Sequence, residues 1–201
     1  MPSAIRHLQS ADPVIAAIIE RIGPYKPRYA EPDFHNLARS IAFQQLHGKA
    51  AATIFGRLVT ACDCNLLTPE SVLNLSHEQM RACGLSKQKL TYIRDLAEKT
   101  LSGGVNFADL PHMDDEDVIE HLTRVKGIGR WSAQMFLMFA LRRPDVMPVV
   151  DFGINHAIKR AYRKRQMPKP KQVLKISEPW RPFRSVACWY LWRSVDVKTQ
   201  E

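Results

Sequence analysis

The chain has 201 residues, enough for one good hydrophobic core or for two small lobes sharing a cleft. Lysine and arginine number 29 against 20 acids, a formal net charge of +9 that suits a polyanionic partner. No apolar run approaches the ~20 residues that span a bilayer, and the polar, proline-containing start does not read as a signal peptide, so neither a membrane-spanning nor a secreted protein is expected.

Nearly every segment reads as helix. Asp12-Pro13 is an N-cap followed by a first helical residue; Val14, Ile15, Ile18, Ile19 and Ile22 follow, and Gly23 stops the run. Residues 23–32, with three prolines, read as a linker. Phe34, Leu37, Ala38, Ile41 and Ala42 then recur at amphipathic spacing. That helix ends in Gln44-Gln45-Leu46-His47-Gly48, and another carries Ile54, Phe55, Leu58 and Val59. Thr68-Pro69 opens a short helix, and Ser76 with Gln79 forms a capping box closed by Gly84. Ser86 caps a helix that turns Leu90, Ile93, Leu96 and Ala97 inward. Cys62, Cys64, Cys83 and Cys188 have no zinc or iron–sulfur spacing and read as reduced thiols.

The stretch from His121 to Asp151 is the most informative. Val118, Ile119, Leu122 and Val125 share one helical face before Gly127. A second apolar run, Met135 to Leu141, follows Gly129, so two helices meet in a hairpin at Gly127-Ile128-Gly129. A turn that tight asks its glycines for backbone geometry that other residues resist. After Asp151, Ile154, Ile158, Ala161 and Tyr162 share a face, with Lys159, Arg160, Arg163, Lys164 and Arg165 around it. Met167-Pro168-Lys169-Pro170 breaks this helix. A short segment from Lys171 leads to Trp180-Arg181-Pro182 and a last helix with Val186, Ala187, Tyr190 and Leu191.

Val125-Lys126-Gly127-Ile128-Gly129-Arg130-Trp131-Ser132-Ala133, followed at a distance by Asp151, resembles the helix-hairpin-helix superfamily of DNA glycosylases. Val150-Asp151-Phe152-Gly153-Ile154 and Trp180-Arg181-Pro182-Phe183-Arg184-Ser185 resemble its alkylpurine branch, the 3-methyladenine DNA glycosylase II type. The resemblance spans roughly Phe34 to Trp192. It implies an all-α, two-lobed fold without an N-terminal β domain. One lobe would run over residues 33–142, and residues 1–32 would pack with 143–201 as the second, with Asp151 at the cleft between them. No four-cysteine cluster of the endonuclease branch is present.

The same resemblance distributes roles. Asp151 falls at the catalytic aspartate, where a carboxylate stabilises positive charge on the deoxyribose and activates water; read by itself, without the motif upstream, it is more readily a helix cap. Trp131 stands where members that also cut the backbone keep a Schiff-base lysine, which implies a monofunctional enzyme. Trp131, Met135, Phe152 and Trp192 match positions that line the base pocket, although aromatics at helical spacing also serve as core. Lys126, Gly127, Ile128, Gly129 and Arg130 match a hairpin that holds a DNA phosphate, with Lys126 in place of the usual proline, and its carbonyls would take Na+ or K+. Gln45, Leu46 and His47 occupy the loop that probes the duplex, and any of the three is a candidate wedge. Arg184 would reach Asp151 or the backbone, or pair at the surface.

The expected activity is removal of N-alkylated purines from damaged duplex DNA. Its rivals are a glycosylase for another damaged base and an inactive DNA-binding protein. No cofactor is required, no membrane is involved, and the protein would act as a monomer in the bacterial cytoplasm or a eukaryotic nucleus.

Overall fold

A computed structural model describes residues 2–46, 48–63 and 65–196. His47, one of the three residues expected as a wedge, and Cys64 therefore lie outside the described residues. These residues form helices joined by turns, and no strand occurs among them. The chain divides into two compact units, one of Met1–Tyr29 with Arg142–Glu201 and the other of Ala30–Leu141.

The first unit contains α1 (Pro2–Ala11), α2 (Pro13–Ile22), α10 (Phe152–Ala161), α11 (Pro170–Ser177) and α12 (Arg184–Asp196). The buried carboxylate of Asp12 organises it. Oδ1 caps α2 by accepting from the Val14 and Ile15 amides at 2.8 and 3.2 Å. Oδ2 accepts from Trp180 Nε1 at 2.8 Å and from the Tyr162 hydroxyl. One side chain thus joins the start of α2 to the end of α10 and to the fully buried Trp180. Burial, then the bond to Asp12, pushes the Tyr162 phenol up, so it stays a donor. Helix α12 buries residues on nearly all sides, including Val186, Ala187, Cys188, Tyr190 and Leu191, and packs on α2 and α10. A helix so surrounded needs no polar stripe.

The second unit contains α3 (Phe34–Phe43), α4 (Gly48–Ala61), α5 (Pro69–Leu73), α6 (His77–Ala82), α7 (Lys87–Leu101), α8 (Asp115–Thr123) and α9 (Arg130–Phe139). Its local signals act as expected, for Thr68, Ser76 and Ser86 all cap and both bonds of the Ser76–Gln79 box form. Helix α7 packs against α3, α5 and α6 with Leu90, Ile93, Leu96 and Ala97 buried. Its other side carries polar residues that fasten the loops. Lys89 Nζ donates to the carbonyls of Ala42 and Gln44 at 2.8 and 2.6 Å. Buried Asp95 accepts from Lys99 Nζ at 2.7 Å and from the Lys126 amide at 2.8 Å. Burial alone would raise the Asp95 carboxyl, but Lys99 and Lys126 hold it below its ordinary value.

Two features depart from the sequence reading. Helix α1 forms although the N-terminus shows no cap or strong periodicity; Ala4 and Leu8 bury its inner face. Of the two hairpin glycines, only Gly127 needs to be glycine for its backbone, with φ at +80° and the Tyr92 ring where a Cβ would stand. Gly129 has φ −93° and open space around it. Gly127→Ala should therefore destabilise the protein by about 2–4 kcal/mol, from left-handed strain plus overpacking. Gly129→Ala should cost no more than about 1 kcal/mol, the penalty of a poorer N-cap. Urea unfolding of the two variants measures both, and equal losses would contradict this account of the hairpin.

Candidate active site

Asp151 is 7% exposed and stands at the N-cap of α10 with extended backbone, φ −66° and ψ 124°. The turn before it is fixed by its own amide donating to the Pro148 carbonyl at 3.0 Å and by Asn155 Nδ2 donating to the Val149 carbonyl at 3.1 Å. Its Oδ1 accepts the Ile154 amide at 2.7 Å and the indole Nε1 of Trp192, on α12, at 2.9 Å. Asp151 is a helix cap, then, but one whose oxygen also receives a donor from another helix.

Gly153 makes that second bond sterically feasible. A Cβ there would lie 2.9 Å from Trp192 Cδ1, 3.2 Å from its Nε1 and 3.3 Å from Asp151 Oδ1. The edge of the indole can reach the carboxylate only because residue 153 has no side chain. No sequence argument gave Gly153 a role, although it sits inside the Asp-Phe-Gly run; its steric partner is 39 positions away, and only packing reveals it.

The neighbours of Asp151 in the chain point the other way. Val150 is 64% and Phe152 76% exposed, so a buried carboxylate lies between two outward apolar side chains. The Phe152 ring stacks parallel to His156, with centroids 6.1 Å apart. Single exposed hydrophobics are common, but two bracketing a buried charge form a surface suited to a ligand. Cys188, fully buried, has its thiol pushed up by burial and further by the Asp151 carboxylate, so it stays protonated and inert. Arg184 is held by Asp145, with Nε and Nη2 on its two oxygens at 2.6 and 2.9 Å. Arg181 shares that carboxylate.

In the other unit, Trp131 is 46% exposed and Met135 half-buried, both on α9, so Trp131 is not simple core packing. The hairpin is braced from beneath. The Lys126 amide is held by Asp95, and the Gly127 carbonyl accepts from Gln44 Nε2 at 2.9 Å. Ile128 is buried and its amide donates to the Val125 carbonyl at 3.1 Å. No side chain caps the start of α9. Amide donors at such a helix start, with the positive end of the dipole behind them, can hold a phosphate. Arg130 is drawn aside by Glu116 in a two-point ion pair, one contact at 2.9 Å.

The loop after α3 is tied to this hairpin by Gln44, while Lys89 holds its carbonyls from α7. Gln45 adopts φ 56° and is exposed, and Leu46 is 41% exposed rather than part of the core. Among the described residues no group of three or more His, Cys, Asp or Glu could hold a metal ion. No helix formed by these residues is long and apolar enough to cross a membrane.

The site sits on a chain with clear relatives. It is 38% identical over 194 residues to DNA-3-methyladenine glycosylase 1 of Schizosaccharomyces pombe, covering 94% of this chain and 85% of that one. The solved structure of the Schizosaccharomyces pombe 3-methyladenine DNA glycosylase Mag1 in complex with abasic DNA superposes with a TM-score of 0.84 at 37% identity, over 97% of each chain. A DNA-3-methyladenine glycosidase from Bacillus halodurans gives a TM-score of 0.85 at 36% identity, over 96% of this chain and 89% of that one. The family model described as HhH-GPD superfamily base excision DNA repair protein matches residues 38–182. The all-helical fold accords with these matches, and the chain belongs to the HhH-GPD superfamily of base excision DNA repair proteins.

Proposed function

We propose that this protein is a monofunctional glycosylase that flips N-alkylated purines, such as 3-methyladenine and 7-methylguanine, out of duplex DNA and hydrolyses the glycosidic bond, leaving an abasic site. The observation that carries the reading is Asp151, a buried carboxylate held by two N–H donors between exposed Val150 and Phe152. Relatives named for 3-methyladenine supply the substrate class.

Bond breaking leaves positive charge on the deoxyribose. A fixed carboxylate stabilises that charge without reorganising, and it can take a proton from the attacking water. The Ile154 amide and Trp192 indole hold Oδ1 and so set the plane of the carboxylate. An N-alkylated purine carries positive charge, which attracts it to aromatic faces. In the unit that holds Asp151, exposed Phe152 and the Trp192 indole are the aromatic side chains available for this. The cationic base is a good leaving group, so bond lability contributes to selectivity alongside pocket fit.

Trp131 places no amine where a Schiff base would form, so hydrolysis ends at the abasic site. The hairpin would hold a phosphate through amides at the start of α9, and Gln45 or Leu46 would fill the gap left by the flipped base. No cofactor enters this chemistry. The Val125 and Gly127 carbonyls each keep a second lone pair beyond the bonds they already accept, which would fit Na+ or K+. We place the enzyme, as a monomer, wherever the genome is, the nucleoid or the nucleus.

The protein should release free 3-methyladenine and 7-methylguanine from methylated duplex DNA, and borohydride should trap no covalent complex. Binding of that DNA with no release of base would overturn the reading. Gly153→Ala should press the indole off Asp151 and slow single-turnover release by about 10–100-fold, as a displacement near 1 Å does. Affinity for the duplex should stay within about threefold, since Gly153 contributes no side chain to it. A rate within twofold of the unmodified protein would remove Gly153 and Trp192 from the mechanism.

A further inference from the structure

Residues 152–177 contain eight lysines and arginines and not one aspartate or glutamate. This stretch is net +8 in a chain whose total is +9, so charge that looks dispersed is concentrated in one segment of the first unit. The eight are Lys159, Arg160, Arg163, Lys164, Arg165, Lys169, Lys171 and Lys175. None forms an ion pair with a described residue. All but Lys159 and Lys164 are exposed.

Local structure accounts for only part of the cluster. Lys159 and Arg160 lie in the last turn of α10, where the helix dipole favours cations. Lys169 and Lys171 are at the opposite kind of end. They occupy the N-cap and the first turn of α11, which has no acid there, and the positive end of the dipole disfavours them. Arg163 adopts φ 50°, a conformation that glycine reaches without strain and arginine does not. Arg160 also lines, with Arg21 of α2, a groove of about 530 Å³ floored by Val14, Ala17 and Ala157. That adds another cation free of ion pairs at the same end of α10. Cations crowded together with no acid among them, against helix dipole and backbone preference, present a surface complementary to negative charge from outside the chain.

The position of the segment indicates which negative charge. Helix α10 starts immediately after Asp151 and its ten residues extend about 15 Å. The cations begin near its far end, too distant to touch the sugar at Asp151. We infer that residues 159–175 form a second duplex-backbone surface, which grips phosphates away from the excised nucleotide and holds the protein on undamaged DNA. The inference rests on the reading of duplex DNA as the substrate.

The test compares two charge-matched variants. One carries Arg165→Gln, Lys169→Gln and Lys171→Gln; the other carries Arg6→Gln, Lys26→Gln and Arg57→Gln at exposed sites elsewhere. Affinity for an undamaged duplex two helical turns long is measured over a range of salt. Each lost phosphate contact lowers the slope of log affinity against log salt by about 0.9, so the first variant should lose about 2–3 and the second less than about 1. Single-turnover base release at saturating enzyme should match the unmodified protein in both. Arg163→Gly alone should lower the slope by about 1 without lowering the melting temperature. Equal slopes for the two triple variants, with duplex still bound and base still released, would overturn the inference and leave the glycosylase reading standing. An unmodified protein that bound no duplex would remove both.

Discussion

The candidate site depends on one oxygen atom with two donors. Asp151 Oδ1 takes the Ile154 amide, which any N-cap would offer, and the Trp192 indole, which only this tertiary packing supplies. The first bond orients the carboxylate along α10. The second, from α12, removes the rotation that remains. The second needs Gly153 bare, so a missing methyl group in the first turn of the helix is as much part of the site as the acid. A carboxylate fixed in this way is preorganised, and preorganisation is what makes a charge effective against a developing cation.

Asp12 and Asp95 repeat the device for other ends. Each is a buried acid that accepts several N–H or O–H donors, and each joins segments remote in sequence. Asp12 secures α2 to Trp180 and the end of α10. Asp95 supports the hairpin through the Lys126 amide, while Lys89, six residues earlier on α7, holds the loop after α3. Gln44 closes the circuit by bonding the Gly127 carbonyl. The hairpin and the loop with Gln45 and Leu46 are thereby set on a single helix, which gives the two elements a common base. Removing one donor from such a network leaves a buried charge short of partners, the costly kind of loss.

What could be read before folding was local. The caps at Asp12, Thr68, Ser76 and Ser86 act within three or four residues, and the buried faces of α3 and α7 follow their apolar spacing. The all-helical architecture and Asp151 as a helix start followed from the same kind of signal. Long-range chemistry was not legible. Asp95 and Lys99 look like an ordinary surface pair at helical spacing, and only the return of the hairpin buries the acid. Arg184 had three candidate partners by sequence, and its actual one, Asp145, lies 39 positions back. Gly129 looked as constrained as Gly127, because the Tyr92 ring that separates them is on another helix.

The central claim is that the charge on Asp151, rather than its capping, performs the chemistry. Asp151→Asn separates the two, for the amide oxygen can still accept from Ile154 and Trp192 while the negative charge is gone. Single-turnover release of 3-methyladenine from duplex DNA should fall by at least about 100-fold, with duplex affinity within about threefold, as expected for a group acting in the transition state. A rate within about tenfold of the unmodified protein would show that bond lability and the pocket suffice, and that Asp151 is only a helix cap.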